Sequence, residues 1–168
     1  MFPIRSMYME AINRASRRIW ITTAYFLPDQ DLVDALKLAA RRGVDVRLLV
    51  TLKSNHIVAD WVSRGYYSQL LEAGVRIFRF REAMVHAKTA TVDGTWTTVG
   101  TANIDRLSLQ GNYEINIEVI DEALAAQVEE IFRVDESHSL ELTIGEWEAR
   151  DLHRKFTEFV LAPLRPLL

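Results

Sequence analysis

Two rhythms of apolar residues alternate along the first half of the chain. Ile4, Met7, Tyr8, Ala11, Ile12 and Ala15 recur at steps of three and four, which gathers them into one stripe of an amphipathic helix. Residues 18–24 are short, apolar and β-prone, and they predict a strand. Around Asp29 to Asp31 the helical rhythm returns in Leu32, Ala35, Leu36, Ala39 and Ala40, and Gly43 stands where a helix takes its left-handed exit. Residues 44–50 are almost continuously apolar, the pattern of a strand covered on both faces. A third helix is expected over 57–72, closed by Gly74, with a strand over 75–80. Helix and strand alternating in this way imply an α/β layer with at least partly parallel strands.

The second half reads differently. Residues 87–92 and 96–100 flank Asp93-Gly94, a turn pair that predicts a hairpin because glycine accepts a positive φ. From 112 to 120 the chain alternates strictly, with Asn112, Glu114, Asn116 and Glu118 on one face and Tyr113, Ile115, Ile117 and Val119 on the other. By itself the polar set looks like a solvated strand face. Leu124, Val128, Ile131 and Phe132 mark a further core helix. A last helix carries Leu152, Phe156, Phe159 and Val160, with Arg150, His153, Arg154 and Lys155 at its other positions; its stripe suits a core or a membrane surface. The sum is one domain over residues 1–168, a mixed β-sheet flanked by helices.

Composition narrows the classes. Hydrophobic residues make up 49% of the 168 and charged residues 26%, values of a globular chain with a proper core rather than a disordered one. No apolar run approaches the ~20 residues of a bilayer-spanning helix, and no signal peptide is visible at the start. Cysteine is absent, which removes disulfides, thiolate metal ligands and a thiol nucleophile. A net charge of −3 makes nucleic acid an unlikely partner, since phosphate neutralisation needs a basic surplus.

Candidate chemistry concentrates between residues 85 and 114. On a strand, His86 and Lys88 lie two apart and share a face, so an imidazole stands beside an ammonium. Such a pair suits a phosphate group: lysine supplies charge, and a neutral imidazole supplies a nucleophile or a proton shuttle. Gly100 permits close backbone approach to a ligand, and the Thr101 hydroxyl and Asn103 amide are donors for phosphate oxygens. Each feature alone has a plainer meaning, because His-x-Lys pairs on strands are common and Asp-Gly is usually only a turn. Their joint spacing is what points to chemistry. His56, His138 and His153 are expected to be surface or core residues, and Tyr25, Tyr66 and Tyr67 aromatic core rather than a lipid cleft.

The spacing of His86, Lys88, Asp93, Gly100, Asn103 and Glu114 resembles the HKD signature of the phospholipase D superfamily. Within it the chain is most similar to the C-terminal half of bacterial cardiolipin synthases, through residues 23–29, 42–47, 63–67, 71–75 and 103–109. Thr101 stands where serine is usual, with an equivalent hydroxyl. The resemblance implies a phospholipase D-like α/β fold, one half of the usual pseudo-two-fold pair. It also implies displacement at phosphorus without metal or other cofactor. One imidazole forms a phosphohistidine, a second acts as acid and base, and phosphatidyl groups pass between phosphatidylglycerols. His86 takes the acid/base role in a complete enzyme and either role in a homodimer.

The same resemblance has Lys88, Thr101 and Asn103 holding phosphate oxygens, while Glu114 orients the His86 ring. Asp93, although part of the catalytic motif, is expected mainly to support its turn. Family enzymes pair two motifs, and this chain carries one. The second half is therefore expected from homodimerisation or from a longer parent chain, and the chain is expected to act peripherally at a bacterial cytoplasmic membrane. The competing expectations are a homodimeric phosphodiesterase or nuclease of the same superfamily and a lone half-domain without turnover.

Overall fold

The computed structural model describes residues 2–52 and 57–149. Helix α1 (Pro3–Arg14) starts on a proline, whose fixed φ and missing N–H suit a first turn. It buries Tyr8 and Ile12. Strand β1 (Arg18–Thr23) follows, then the two-residue β2 (Phe26–Leu27). Helix α2 (Gln30–Arg41) is capped by the Asp29 carboxylate, which accepts from the Leu32 N–H at 3.0 Å. It ends at Gly43, whose φ of +90° is the left-handed exit read from the sequence.

Next come β3 (Asp45–Thr51), α3 (Ile57–Glu72) and β4 (Arg76–Phe80). The hairpin is β5 (Thr89–Val92) and β6 (Trp96–Gly100), and Asp93 and Gly94 both take positive φ in its turn. Beyond it lie β7 (Ile104–Asp105), α4 (Arg106–Gln110), β8 (Asn116–Ile120), α5 (Glu122–Ser137), β9 (Ser139–Leu142) and α6 (Ile144–Glu148).

Seven strands form one mixed sheet in the order β8-β6-β5-β1-β3-β4-β9. β1, β3 and β4 run parallel, joined through α2 and α3, while β5, β6, β8 and β9 pair antiparallel. β2 and β7 make a separate two-stranded parallel ribbon. Alternate residues of the central strands serve two unequal cores. Ile19, Ile21, Val46, Leu48, Val50 and Ile77 pack against Tyr8, Leu32, Leu36 and Leu70 of α1, α2 and α3. On the other face Trp20, Leu49 and Phe78 pack with Phe132 of α5, and Phe80 and Val85 lie partly buried against them. Arg18, Arg47 and Arg133 surround the Trp20 ring there, 4.7–5.9 Å from its centroid.

The predicted alternation in the first half is present, with helix ends within a residue or two. β7, α4, β9 and α6 are additions to it, as is the β2–β7 ribbon. Ile131 was expected in the core and is instead exposed, since α5 turns Ala125, Glu129 and Phe132 inward. Tyr66 and Tyr67 are core residues as expected. The predicted C-terminal helix, His56 and His153 lie outside the described residues. No described helix is long and apolar enough to cross a membrane.

Candidate active site

The carboxyl ends of β1 and β3, the entry to β5, the exit of β6 and the start of β8 meet at one end of the sheet. The register makes this explicit: Thr22 lies beside Leu49 and Thr89, Thr89 beside Val99, and Val99 beside Ile117. Ligands in α/β folds gather at such carboxyl ends, where loops leave the sheet and backbone groups lie unpaired.

His86 and Lys88 stand just before β5, not within it, because regular pairing begins at Thr89. The expectation that both side chains share one strand face is corrected accordingly. His86 is exposed at the rim, and Lys88 is buried. The Lys88 ammonium donates to the His86 carbonyl at 2.9 Å, so the lysine folds back under the histidine's own backbone. The segment is held from both sides: the Thr51 hydroxyl donates to the Val85 carbonyl at 3.2 Å, and the Gly100 N–H donates to the Lys88 carbonyl at 3.1 Å.

Burial holds the Lys88 ammonium below the usual lysine range, with Glu114 and Asp105 pulling the other way. Asp105 is itself buried, and burial raises its carboxyl despite hydrogen bonds from the Ser108 N–H and hydroxyl; the Glu114 charge adds to the rise. A partly desolvated cation and two carboxyls therefore sense one another in a confined space.

Thr101 and Glu114 are joined directly, the threonine hydroxyl donating to a Glu114 carboxylate oxygen. The same hydroxyl accepts from the Ile115 N–H at 3.0 Å, and the Thr101 N–H donates to the Ile115 carbonyl at 2.9 Å. The sequence reading gave Thr101 to phosphate and Glu114 to the His86 ring; here the two residues bond to each other. Asn103 sits between Ala102 and Ile104, both almost wholly buried, and Ile104 is pinned beside Phe26 through the β2–β7 pairing. Its Oδ1 is buried without a hydrogen-bond partner among the described residues. A buried carbonyl oxygen left unsatisfied costs about 1–3 kcal/mol, which only a hydrogen-bond donor at that spot relieves.

Gly100 is a second correction. A Cβ there would come within 2.3 Å of the Ile115 carbonyl oxygen and of Asn116 Oδ1. The close approach that glycine permits is to β8, not to a ligand. It draws β8 against β6 so that Glu114 reaches Thr101.

Asp93 does not join this group. It lies at the other end of β5, five residues from Lys88 and so roughly 16 Å away at strand rise. Its carboxylate accepts from the backbone N–H groups of Ser16, Arg17 and Arg18 at 2.8–3.0 Å and from the Ser16 hydroxyl, tying the hairpin to the start of β1. Burial pushes its carboxyl up, but these donors outweigh it and hold the group below its ordinary value. Its motif position thus coincides with a structural tie. His138 is likewise structural, its ring facing the Val134 carbonyl at the end of α5.

Two neighbours went unread in the sequence. Asp105 caps α4 through Ser108, a signal visible in its three-residue spacing from that serine. Asn116 was assigned to a solvated face, yet it accepts from the Ala102 N–H and donates to the Thr98 hydroxyl at 3.1 Å.

The match to a family model described as cardiolipin synthase, PLD-like domain, covers residues 8–135. Cardiolipin synthase 2 of Bacillus anthracis is 37% identical over 165 residues, 98% of this chain and 32% of the relative. The chain thus spans about a third of the length of the curated relatives it matches. Among solved structures, the phospholipase D family member Nuc from Salmonella typhimurium superposes with a TM-score of 0.73 at 21% identity, covering 83% of this chain and 90% of that one. Phosphatidylserine synthase of Haemophilus influenzae Rd KW20 gives 0.74 at 17% identity, covering 98% of this chain and 42% of that one.

Proposed function

The chain belongs to the cardiolipin synthase family of PLD-like domains, and from that membership we propose that it supplies one half of a phosphatidyltransferase site acting on phosphatidylglycerol. The observation that carries the proposal is the convergence of His86, Lys88, Thr101, Asn103 and Glu114 at one end of the sheet. Three segments contribute to it, those before β5, after β6 and before β8, and the residues are those a phosphodiester demands.

In the first step an imidazole nitrogen attacks phosphorus, the bond to the leaving glycerol oxygen breaks, and a second imidazole gives that oxygen its proton. The products are a phosphatidyl-histidine and free glycerol. In the second step the now neutral second imidazole takes a proton from a glycerol hydroxyl of another phosphatidylglycerol. That oxygen attacks phosphorus, the P–N bond breaks, and cardiolipin leaves with both imidazoles restored. His86 is one of the pair, and its exposed position at the rim lets it meet a group outside its own chain.

Lys88 lies beneath the reacting group as a fixed charge, desolvated and therefore stronger than in water. The Asn103 side-chain NH2 donates to a non-bridging oxygen. Glu114, held by Thr101, supplies negative charge near an imidazolium, and the Thr101 hydroxyl can exchange that bond for phosphate. Asp93 takes no part in bond making. The partner half is a second PLD-like unit, and the site works on lipid presented at a bacterial membrane surface.

Incubation with phosphatidylglycerol vesicles followed by lipid mass spectrometry tests this. Cardiolipin and glycerol should accumulate, and His86→Ala should abolish them. DNA cleavage without a lipid product would replace the proposal with a nuclease of the same superfamily.

A further inference from the structure

Asn103 lies on a stretch with no ladder of its own. β6 ends at Gly100 and β7 begins at Ile104, so the backbone around Asn103 must be tied from elsewhere. The two N–H groups that flank it find side chains as acceptors. The Ala102 N–H donates to Asn116 Oδ1 at 3.3 Å, and the Ile104 N–H donates to the Thr23 hydroxyl at 3.2 Å. Thr23 closes β1 and Asn116 opens β8, two strands that β5 and β6 separate in the sheet. Asn103 is therefore gripped from two sides.

Neither acceptor is loose. Thr23 is 1% exposed and β-branched, which restricts its χ1, and its hydroxyl proton goes to the Tyr25 carbonyl at 2.8 Å. Asn116 donates from Nδ2 to the Thr98 hydroxyl at 3.1 Å and is also hydrogen-bonded to Tyr8, a fully buried residue of α1. Ala102 and Ile104 are sealed in the interior, while Asn103 between them stays half-buried. The backbone is thus fixed on both sides of the one residue that keeps an opening.

We propose that Thr23 and Asn116 are positioning residues for the transfer reaction, a clamp that holds the Asn103 side-chain NH2 where a non-bridging phosphate oxygen arrives. The proposal rests on the reading above that Asn103 binds phosphate. Neither residue meets the substrate; each acts through Asn103. Binding groups that support chemistry need this kind of backing, because a misplacement of about 1 Å costs on the order of a hundredfold in rate.

Thr23→Val keeps the shape and removes the hydroxyl, Thr23→Ser keeps the hydroxyl, and Asn116→Ala removes the other acceptor. Each is made in the wild-type chain and in Asn103→Ala. Two quantities are measured: the dissociation constant for inorganic phosphate by phosphorus NMR, and kcat for cardiolipin formation in phosphatidylglycerol vesicles. Thr23→Val and Asn116→Ala should each weaken phosphate binding about threefold or more and lower kcat about tenfold or more. Thr23→Ser should recover most of both. In the Asn103→Ala background the same substitutions should change neither quantity by more than about twofold, because the group they position is gone.

Losses of equal size in both backgrounds would make Thr23 and Asn116 ordinary framework and overturn the clamp, as would a Thr23→Ser chain as impaired as Thr23→Val. If Thr23→Val loses its far-ultraviolet circular dichroism, Asn116→Ala, on a separate strand, decides by the same criterion. Coupled losses of phosphate binding without any cardiolipin uphold the clamp and count against the lipid reading alone. Cardiolipin formation indifferent to both substitutions counts against the clamp alone, and a wild-type chain that neither binds phosphate nor forms cardiolipin overturns both.

Discussion

Lys88 shows how one residue is tuned by where the chain puts it. Its ammonium is buried and held below the ordinary lysine value of 10.5 chiefly by desolvation, while Glu114 and Asp105 partly restore it. In the folded chain it therefore binds a proton less readily than in the unfolded chain. That linkage makes Lys88's contribution to stability rise as pH climbs toward the ordinary value, while its charge, needed for phosphate, is lost on the same climb. Activity should fall on the alkaline side at lower pH than an ordinary lysine would dictate. Lys88→Arg should keep partial activity and move that limb upward, because guanidinium does not deprotonate in the accessible range. A pH–rate profile of the two forms checks it, and unchanged limbs would remove Lys88 from the chemistry.

The residue scale also shows the reach of the motif. His86, Lys88, Asn103 and Glu114 were legible as a group because their spacing is fixed by the hairpin and the short connection after it. Their individual states were not. Exposure of His86 and burial of Lys88 go with a strand that begins at Thr89, two residues later than the predicted start. Asp93 belongs to the same spacing, yet its donors are on the preceding loop, seventy-five or more residues away in sequence.

Elements were read well where a period was long and caps were present. The α2 boundaries follow from Asp29 and Gly43, and the turn from Asp93-Gly94. β2 and β7 are two residues each and carry no periodic signal; they exist because Phe26 and Ile104 are brought together. Helix α5 was legible as a helix, but its inward face was misjudged at Ile131, because the buried stripe includes a charged residue. Glu129 is almost fully buried and takes two hydrogen bonds from Arg18, at 2.7 and 3.0 Å. This pair fastens α5 to the start of β1. Glu129→Ala should cost at most about 3 kcal/mol, the low end for breaking a buried pair, since Arg18 keeps access to water. Urea denaturation measures it, and a loss below a few tenths of a kcal/mol would show the pair to be incidental.

For the whole molecule, the sheet is closed by covering elements at its centre and open at the β8 edge. β1 and β3 are each paired on both sides and covered on both faces, whereas β8 is paired only with β6 and leaves Ile117 exposed. Local opening free energy should follow that order. In hydrogen exchange at low concentration the β8 amides should exchange well before those of β1 and β3. Equal exchange at the two places would show that the edge strand opens no more easily than the centre.

The sequence by itself determined the α/β alternation, the hairpin, the helix ends and the cluster of phosphate-handling residues. All of these depend on short-range periodicity, caps and fixed spacing within a few dozen residues. Tertiary structure alone decided which of Glu114 and Ile115, just before β8, turns toward the protein. A period of two has no sign: alternation says that Glu114 and Ile115 point oppositely, never which of them meets the protein. That choice was made by Gly100, which admits β8 close enough for Thr101 to hold Glu114, and by α5, whose path leaves Ile115 and Ile117 uncovered.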